Sequence, residues 1–490
     1  MTQEAASHLS FSVPRSGVIK RILIPKYYDP ELDEATKLAG AEFFLPTLKS
    51  ILGPGSEGSR LGTWIPREFY GTGPIPFIRT SDFNNWRLRP DYKKSVSAVV
   101  YERVKTRQDL KSGDILMVAH GTYLVGSVAL LTDSDLPIVL QDHVFRLRVS
   151  PSSKTQDGGA ISSELVLAAL STSFVRRQVR ARQFSADIID KIGERHLELL
   201  VPIPRNAEIR EKVETDVGEV VKGQTEVREK ISTLLDSKLG MTRERSVSKL
   251  GFSVKRSNIK SNILIPKYYD PSIVDEMKEE SVKWGSWTSI QSLIVRGILE
   301  CNTGVEVGKM AYGTGVIPFV RTTDIAELEL KASPRQGVSQ EIFDKYKPKA
   351  ALTGGDIILV RDGTYLVGSS ALVTDDDLPA LICGGLYRLR LVDKGDVNPS
   401  TLLALLNLRS VRRQMRAKQF TRDVIDTLGK RLFEVMIPDP LSEAAKILGS
   451  SLGDCMVKKS ELRSKLLRAV KLLEPSVPQV MLDRPGWSMR

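Results

Sequence analysis

Two short arginine runs carry the first chemical signal. Arg176, Arg177, Arg180 and Arg182 crowd together, with Gln178 and Gln183 among them. A second run holds Arg409, Arg412, Arg413, Arg416 and Lys418, with Gln414 and Gln419. On a helix, Arg176 and Arg180 share a face, as do Arg412 and Arg416. No acid interrupts either run. Neutralisation within the helix is therefore poor, and clustered cations of this kind suit phosphate. The alternative is a solvated helix face with ion pairs.

Two glycine tips carry the second signal. The segment from Gly113 to Gly126 reads as strand, tight turn, strand, with Gly121, Thr122 and Tyr123 at the turn. Gly355 to Gly368 repeats it, with Gly363, Thr364 and Tyr365. Gly121 and Gly363 suit a positive φ. The residues just before the glycine differ: Ala119-His120 in one copy, Arg361-Asp362 in the other. A constant frame with variable tips suits two readers of different sequences, and Arg361 suits the two acceptors of a guanine edge. Ordinary hairpin tips are the other reading. Arg79-Thr80-Ser81-Asp82 and Arg321-Thr322-Thr323-Asp324 each follow a short apolar strand. Asp82 and Asp324 suit caps. Arg79 and Arg321, with Thr80 and Thr322, are candidate nucleic-acid contacts.

No reaction chemistry accompanies these residues. The sequence has no phosphate-binding glycine loop ending in Lys-Ser/Thr, and no Asn-Pro-Pro-aromatic motif of amino-methyltransferases. Gly71-Thr72-Gly73 is a lone G-x-G. Glu276-Met277-Lys278 faintly resembles a nuclease element, but the first half has Glu34-Ala35-Thr36 there, without the lysine. His8, His120, His143 and His196 have no metal-ligand spacing, and Cys301, Cys383 and Cys455 lie too far apart for a zinc pattern or a disulfide framework. No catalytic residue, metal or cofactor is expected. No apolar run reaches the roughly 18 residues of a membrane span, so no membrane partner is expected. The first residues lack the pattern of a secretory signal, and a reducing cytoplasm is the expected location. Lys and Arg number 71 against 59 Asp and Glu, a net charge of +12 that permits a polyanionic partner.

The elements that must position these residues come in two copies. Phe252 of Phe-Ser-Val-Lys-Arg-Ser stands 241 positions after Phe11 of Phe-Ser-Val-Pro-Arg-Ser. Ile22-Leu23-Ile24-Pro25-Lys26-Tyr27-Tyr28-Asp29-Pro30 returns as Ile263 to Pro271. The Tyr-Tyr-Asp-Pro segments have no role that the sequence reveals. Each copy has short β-branched runs and interspersed helices, notably 163–182 and 399–418, and reads as an α+β domain. The expected division is a first domain at 9–204, a helical spacer at 205–247, a second domain at 248–440, a second spacer at 441–474 and a tail at 475–490.

The spacers alternate apolar residues at four and three. Val213, Val217, Val220, Val227, Ile231 and Leu234 make the first seam; Leu448, Leu452, Cys455, Leu462, Leu466, Ala469 and Leu473 make the second. Gln224 and Lys459 occupy the same polar position in each. This is the spacing of a coiled coil, in which polar seam residues fix register. Two tandem units related by a pseudo-twofold would pair these helices antiparallel; the alternative is that each helix packs only on its own domain. A seam of about 38 Å at 1.5 Å per residue would set two heads about one DNA turn, 34–36 Å, apart.

The chain resembles the specificity subunits of type I restriction-modification systems. The likeness rests on Ile75-Pro76-Phe77-Ile78-Arg79-Thr80-Ser81-Asp82, on Gly355 to Thr364 with Val367-Gly368, and on the helices ending near Gln183 and Gln419 that lead to Val201-Pro202-Ile203-Pro204 and Ile437-Pro438. It covers nearly the whole chain. It implies two tandem target-recognition domains, each reading one half of a bipartite double-stranded DNA site. It implies spacers that scaffold two methyltransferase subunits, with a motor-nuclease subunit as a further partner. S-adenosylmethionine is then expected only on the methyltransferase. The other reading is a stand-alone duplicated DNA-binding or scaffold protein of a defence system, without a methylation partner.

Overall fold

The structure is a computed structural model. It describes residues 12–15, 18–19, 22–90, 92, 94–121, 124–186, 189–235, 251–260, 263–331, 336–363, 366–392, 397–422 and 425–478. The chain forms two compact units. Unit 1 comprises 1–88, 94–221 and 464–490; unit 2 comprises 89–93 and 222–463. These units do not follow the sequential division expected above, because each long helix contributes to both.

Unit 1 is built on a four-stranded antiparallel sheet in the order Ser59–Leu61, Val144–Leu147, Ile115–Val118, Val128–Leu130. Ile115 and Met117 enter one hydrophobic cluster, while Leu116 and Val118 enter another. Both faces are therefore buried, which is why this strand is a continuous apolar run rather than an alternating one. A smaller mixed sheet places Ile75–Ile78 between Ser95–Val96, antiparallel, and Val139–Leu140, parallel. Unit 2 repeats the plan. Its main sheet runs Leu299–Thr303, Leu386–Leu391, Ile357–Val360, Ser370–Leu372. Its smaller sheet centres on Ile317–Val320. The α+β reading of each copy holds.

The helix expected over 163–182 is two helices. Ser163–Leu170 is apolar and buried, and Thr172 caps a second helix, Ser173–Arg182, by accepting from the Val175 amide. In unit 2, Pro399–Asn407 and Arg409–Lys418 divide in the same way at Leu408. In each unit the break separates an apolar, buried helix from a basic one.

The spacers are the helices Ala207–Leu234 and Glu443–Lys471. Asn206 accepts from the Glu208 amide at 2.8 Å, and Ser442 accepts from the Ala445 amide at 3.3 Å, so each helix starts at a side-chain cap. In unit 1, Val213, Val217, Val220 and Val221 share one cluster with Leu466, Ala469, Val470 and Leu473. Lys465 bridges to Asp216 at 3.5 Å and to Glu219. In unit 2, Val227, Ile231 and Leu235 share a cluster with Leu448, Leu452, Cys455 and Leu462. Gly223 faces Leu462 so closely that a Cβ would stand 2.7 Å from a Leu462 methyl. Early residues of one helix meet late residues of the other, so the pairing is antiparallel.

The seam departs from a strict coiled coil in two respects. Both clusters also contain residues of the globular domains, so each helix packs on a domain as well as on its partner. Accordingly Val220 and Val221 are both buried. The first seam ends on buried Leu235 rather than on the expected Leu234, which is only partly buried. A straight helix at 3.6 residues per turn drifts off a 3.5 repeat, and a wide apolar stripe against a globular core tolerates that drift.

Candidate nucleic-acid interface

The basic helices do not present all of their charge. The Arg177 side chain is 7% exposed, and its Nε donates to Asp29 Oδ2 at 2.8 Å. Its Nη2 reaches Asp29 again and Glu31 at 3.3 Å. Arg413 repeats this with Glu276, with Ser272 Oγ at 2.7 Å and with Asp270 at 3.7 Å. Arg182 stands 3.7 Å from Glu198 and over the Tyr27 ring. Lys418 stands 3.5 Å from Glu434, with its ammonium 4.4 Å from the Tyr268 ring centre. By sequence these four cations are candidate phosphate contacts; the structure makes them struts. The acids that neutralise them come from other segments, which is why the acid-free runs mislead. Arg176 is exposed and donates to the Ser171 carbonyl at 2.8 Å. Arg180 is partly exposed and donates to Gln183 Oε1 at 3.0 Å. Arg412 reaches Ser369 Oγ at 3.5 Å, and Arg416 is partly exposed.

The same pairings give the Tyr-Tyr-Asp-Pro segments their role. Asp29 and Asp270 cap the helices Pro30–Glu42 and Pro271–Trp284 while also meeting Arg177 and Arg413. Tyr27 Oη donates to Glu198 at 2.9 Å, and Tyr268 Oη donates to Glu434. Each segment straps the basic helix to its own domain and carries one lysine, Lys26 or Lys267, to the end of that helix.

The glycine tips are not simple hairpin turns. In unit 1 the chain leaves Val118 to run beside a second hairpin, Phe184–Ala186 with Ile189–Lys191. His120 bridges to Lys191, and the Gly121 amide donates to the Asp190 carbonyl at 3.0 Å. Gly121 has φ +125°, the conformation expected of it. In unit 2, Asp362–Gly363 pairs with Ile425–Thr427. Thr122, Tyr123, Thr364 and Tyr365 lie outside the described residues. Gln183 donates to Asp190 at 2.9 Å, and Gln419 donates to Asp426 at 3.1 Å. Both glutamines, expected as contacts, fix the second hairpin on the end of the basic helix; Gln183 is buried and Gln419 is partly exposed. Tip, hairpin, helix end and strap lysine thus converge in each unit around one aspartate.

The tips differ as their residues suggest. In unit 2, Arg361 donates from Nε and Nη2 to Asp362 Oδ2 at 2.8 and 2.6 Å, and its guanidinium lies 5.8 Å from the Tyr387 ring centre. Thr427 Oγ1 donates to the other oxygen of Asp362 at 2.6 Å. In unit 1, His120 packs against His143 with ring centres 4.6 Å apart and the rings tilted at 50°. Burial, helped by the His143 and Lys191 charges, pushes His120 down to about 4. Asp82 and Asp324 are fully buried caps, accepting from the Arg79 and Arg321 amides at 2.8 and 2.9 Å. The Arg321 guanidinium lies 5.6 Å from the Tyr312 ring centre. Thr80 and Thr322 begin the short 3₁₀ turns after Arg79 and Arg321, and Thr322 lies beside Gly385, whose carbonyl accepts from the Arg361 amide.

Sequence reasoning passes over Arg195 and Arg431. Arg195 stacks 4.0 Å from the Phe184 ring centre and donates to the Arg182 and Lys191 carbonyls at 2.7 and 3.1 Å. Arg431 stacks 3.9 Å from Phe420 and donates to the Lys418 and Thr427 carbonyls at 2.7 and 2.9 Å. Their signal is in the duplication: the same arginine follows the same phenylalanine by 11 positions in both halves. Among the described residues there is no helix long and apolar enough to cross a membrane, and no cluster of three or more metal-ligating side chains.

No family model matches the chain, and no curated protein matches it in sequence. Three solved structures of type I restriction-modification proteins are similar to it. It is similar over 89% of its length to the crystal structure of the S subunit from M. genitalium, at 13% identity, covering 96% of that chain with a TM-score of 0.32. It is similar over 92% of its length to the HsdS subunit from Thermoanaerobacter tengcongensis, at 16% identity, 97% of that chain and a TM-score of 0.26. A third neighbour, from a study of complex assembly in the type I R-M system, is 14% identical over 90% of this chain and 97% of that one, with a TM-score of 0.26.

Proposed function

We propose that this chain is the DNA-specificity subunit of a type I restriction-modification methyltransferase. One observation carries the reading: a single site frame occurs twice, and its partly exposed tip differs between the copies. Gln183–Asp190 and Gln419–Asp426 hold the frame alike, whereas His120 stands where the second copy has Asp362. A frame kept constant while the tip changes suits reading two different short sequences on a backbone that is always the same.

Each unit binds one half of a bipartite double-stranded DNA target. The paired helices hold the two readers and scaffold two methyltransferase subunits, with a motor-nuclease as a further partner. S-adenosylmethionine and the methyl transfer belong to the methyltransferase, and this chain contributes recognition only. The test is to express the chain with the methyltransferase encoded beside it and sequence the methylome. The expected result is a new methyladenine motif of two short half-sites at fixed separation. A folded, present methyltransferase with no new methylation would refute the reading.

A further inference from the structure

Lys26 is placed unusually for a lysine. It is partly buried at the end of the strap, and among the described residues it forms no ion pair within 4 Å. Its neighbour Tyr27 meets the Phe184 ring edge-on, with ring centres 6.1 Å apart, and Arg195 stacks on that same ring. Burial pulls the Lys26 ammonium down, Asp190 opposes this, and the Arg180 and Arg195 charges add to it. The Asp190 carboxylate is already engaged by Gln183. Arg195 cannot swing away, because two carbonyls and the Phe184 face hold it. Unit 2 repeats the arrangement. Lys267 is exposed, and its neighbour Tyr268 meets the Phe420 ring with centres 6.0 Å apart. Desolvation and the Arg431 charge lower the Lys267 ammonium against Asp426, and Arg431 is held by the same kind of carbonyl pair and by Phe420. Lys267 likewise forms no ion pair among the described residues. Glu198 also faces Arg195, and Glu434 faces Arg431 as well as Lys418. In each unit the gathered cations still outnumber these carboxylates, and an anion would relieve their mutual repulsion. The arginine stacked and anchored on one edge has already given up the freedom that binding would otherwise remove.

We propose that Lys26 with Arg195, and Lys267 with Arg431, form one clamp per unit for a DNA backbone phosphate. The inference rests on the DNA reading above and adds the groups that grip without reading bases. The phosphate seat lies at the end of the basic helix, beside the tip that differs between units. The clamp therefore sets the register in which each tip meets its bases. It also gives the strap segments a second purpose besides tying the basic helix to its domain.

The test uses the full chain and duplex binding across a salt series. Lys26→Met with Lys267→Met should lower the slope of log affinity against log salt by about 1.8, at about 0.9 for each phosphate that is no longer neutralised. The weakening should be the same on target and random duplexes. Lys26→Arg with Lys267→Arg should restore the slope. Neither lysine takes part in an ion pair among the described residues, so an unchanged thermal midpoint is expected and verifies folding. An unchanged slope in the methionine variant, or a weakening confined to target duplex, overturns the clamp alone. Absence of any DNA binding by the unaltered chain overturns the DNA reading, and the clamp with it.

Discussion

Arg361 and Asp362 are adjacent in sequence and joined side chain to side chain, the guanidinium donating twice to one carboxylate oxygen at 2.8 and 2.6 Å. Thr427 holds the second oxygen of Asp362. The Nε–Nη2 edge of the guanidinium is thereby occupied, and Nη1 has no hydrogen-bond partner among the described residues, on a side chain that is 31% exposed. An arginine held on one edge presents its donors as a fixed pair, the geometry that two acceptors of a guanine require.

Arg361→Ala should therefore weaken binding to one half-site by about 1–3 kcal/mol and relax the base preference there, leaving the other half-site as it was. Asp362→Ala keeps the guanidinium but frees it, and should lose discrimination more than affinity. Binding to duplexes varied one half-site at a time checks this. Equal weakening on every sequence would assign Arg361 to phosphate instead.

Arg177 leads to the opposite expectation, although it lies in the run that looks most like a phosphate surface. Removing it leaves the buried Asp29 without its cation, which should cost about 3–5 kcal/mol of stability. Asp29 also caps the helix Pro30–Glu42, so that helix should lose protection first. Denaturation of Arg177→Ala, with hydrogen exchange across residues 30–42, measures this. The salt slope of DNA binding by the folded variant should stay unchanged. A stable variant with a reduced slope would return Arg177 to the phosphate surface.

The reasons why the duplicated frame is legible in the sequence and the setting of Arg177 is not are physical. Duplication, the strand runs and the heptad spacing are local or periodic, and a sequence displays them directly. The fate of a charge depends on what folds against it. Arg177 and Asp29 are 148 positions apart, and no spacing rule connects them. The bonds of Gln183 to Asp190 and of Gln419 to Asp426 need a hairpin that a short, mostly polar segment barely announces. Lys26 and Arg195 draw no notice because neither belongs to a charge run; only their recurrence at Lys267 and Arg431 marks them.

The histidines give the two units different acid sensitivity. All four precede residue 200, and the positions aligned with His120, His143 and His196 hold Asp362, Gly385 and Leu432. Burial lowers His196, whose Nε2 meets Ser59 Oγ at 2.7 Å, and pushes His120 down to about 4. The fold thus favours the neutral rings, while the unfolded chain takes up protons below the ordinary value of 6.5. The stability they contribute is complete above about pH 6.5 and is lost as pH falls toward 4. Hydrogen exchange at pH 7 and pH 5, corrected for intrinsic rates, should show protection falling in unit 1 and not from this cause in unit 2. An equal fall in both units, or none in unit 1, would contradict the assignment.

The heptad spacing assigns Lys459 to register between the helices, but its partners lie on the globular part of unit 2. Its side chain is 8% exposed, and its ammonium stands 3.1 Å from Glu329 and 3.6 Å from Glu327. Burial pulls this lysine down, but the two carboxylates outweigh it and raise it overall; burial raises Glu329. In unit 1 the position aligned with Glu329 is Arg87, which donates to the Val221 carbonyl at 3.1 Å and meets Asp135 at 3.2 Å. The charge at this position is reversed between the copies, so the two domains are not interchangeable on the helices. Lys459→Met should cost about 3–5 kcal/mol, because it strands a buried carboxylate. Adding Glu329→Gln should recover most of that stability. A double-mutant cycle on denaturation midpoints measures the coupling. Effects that simply add, within about 0.5 kcal/mol, would mean that Lys459 and Glu329 do not act as a pair.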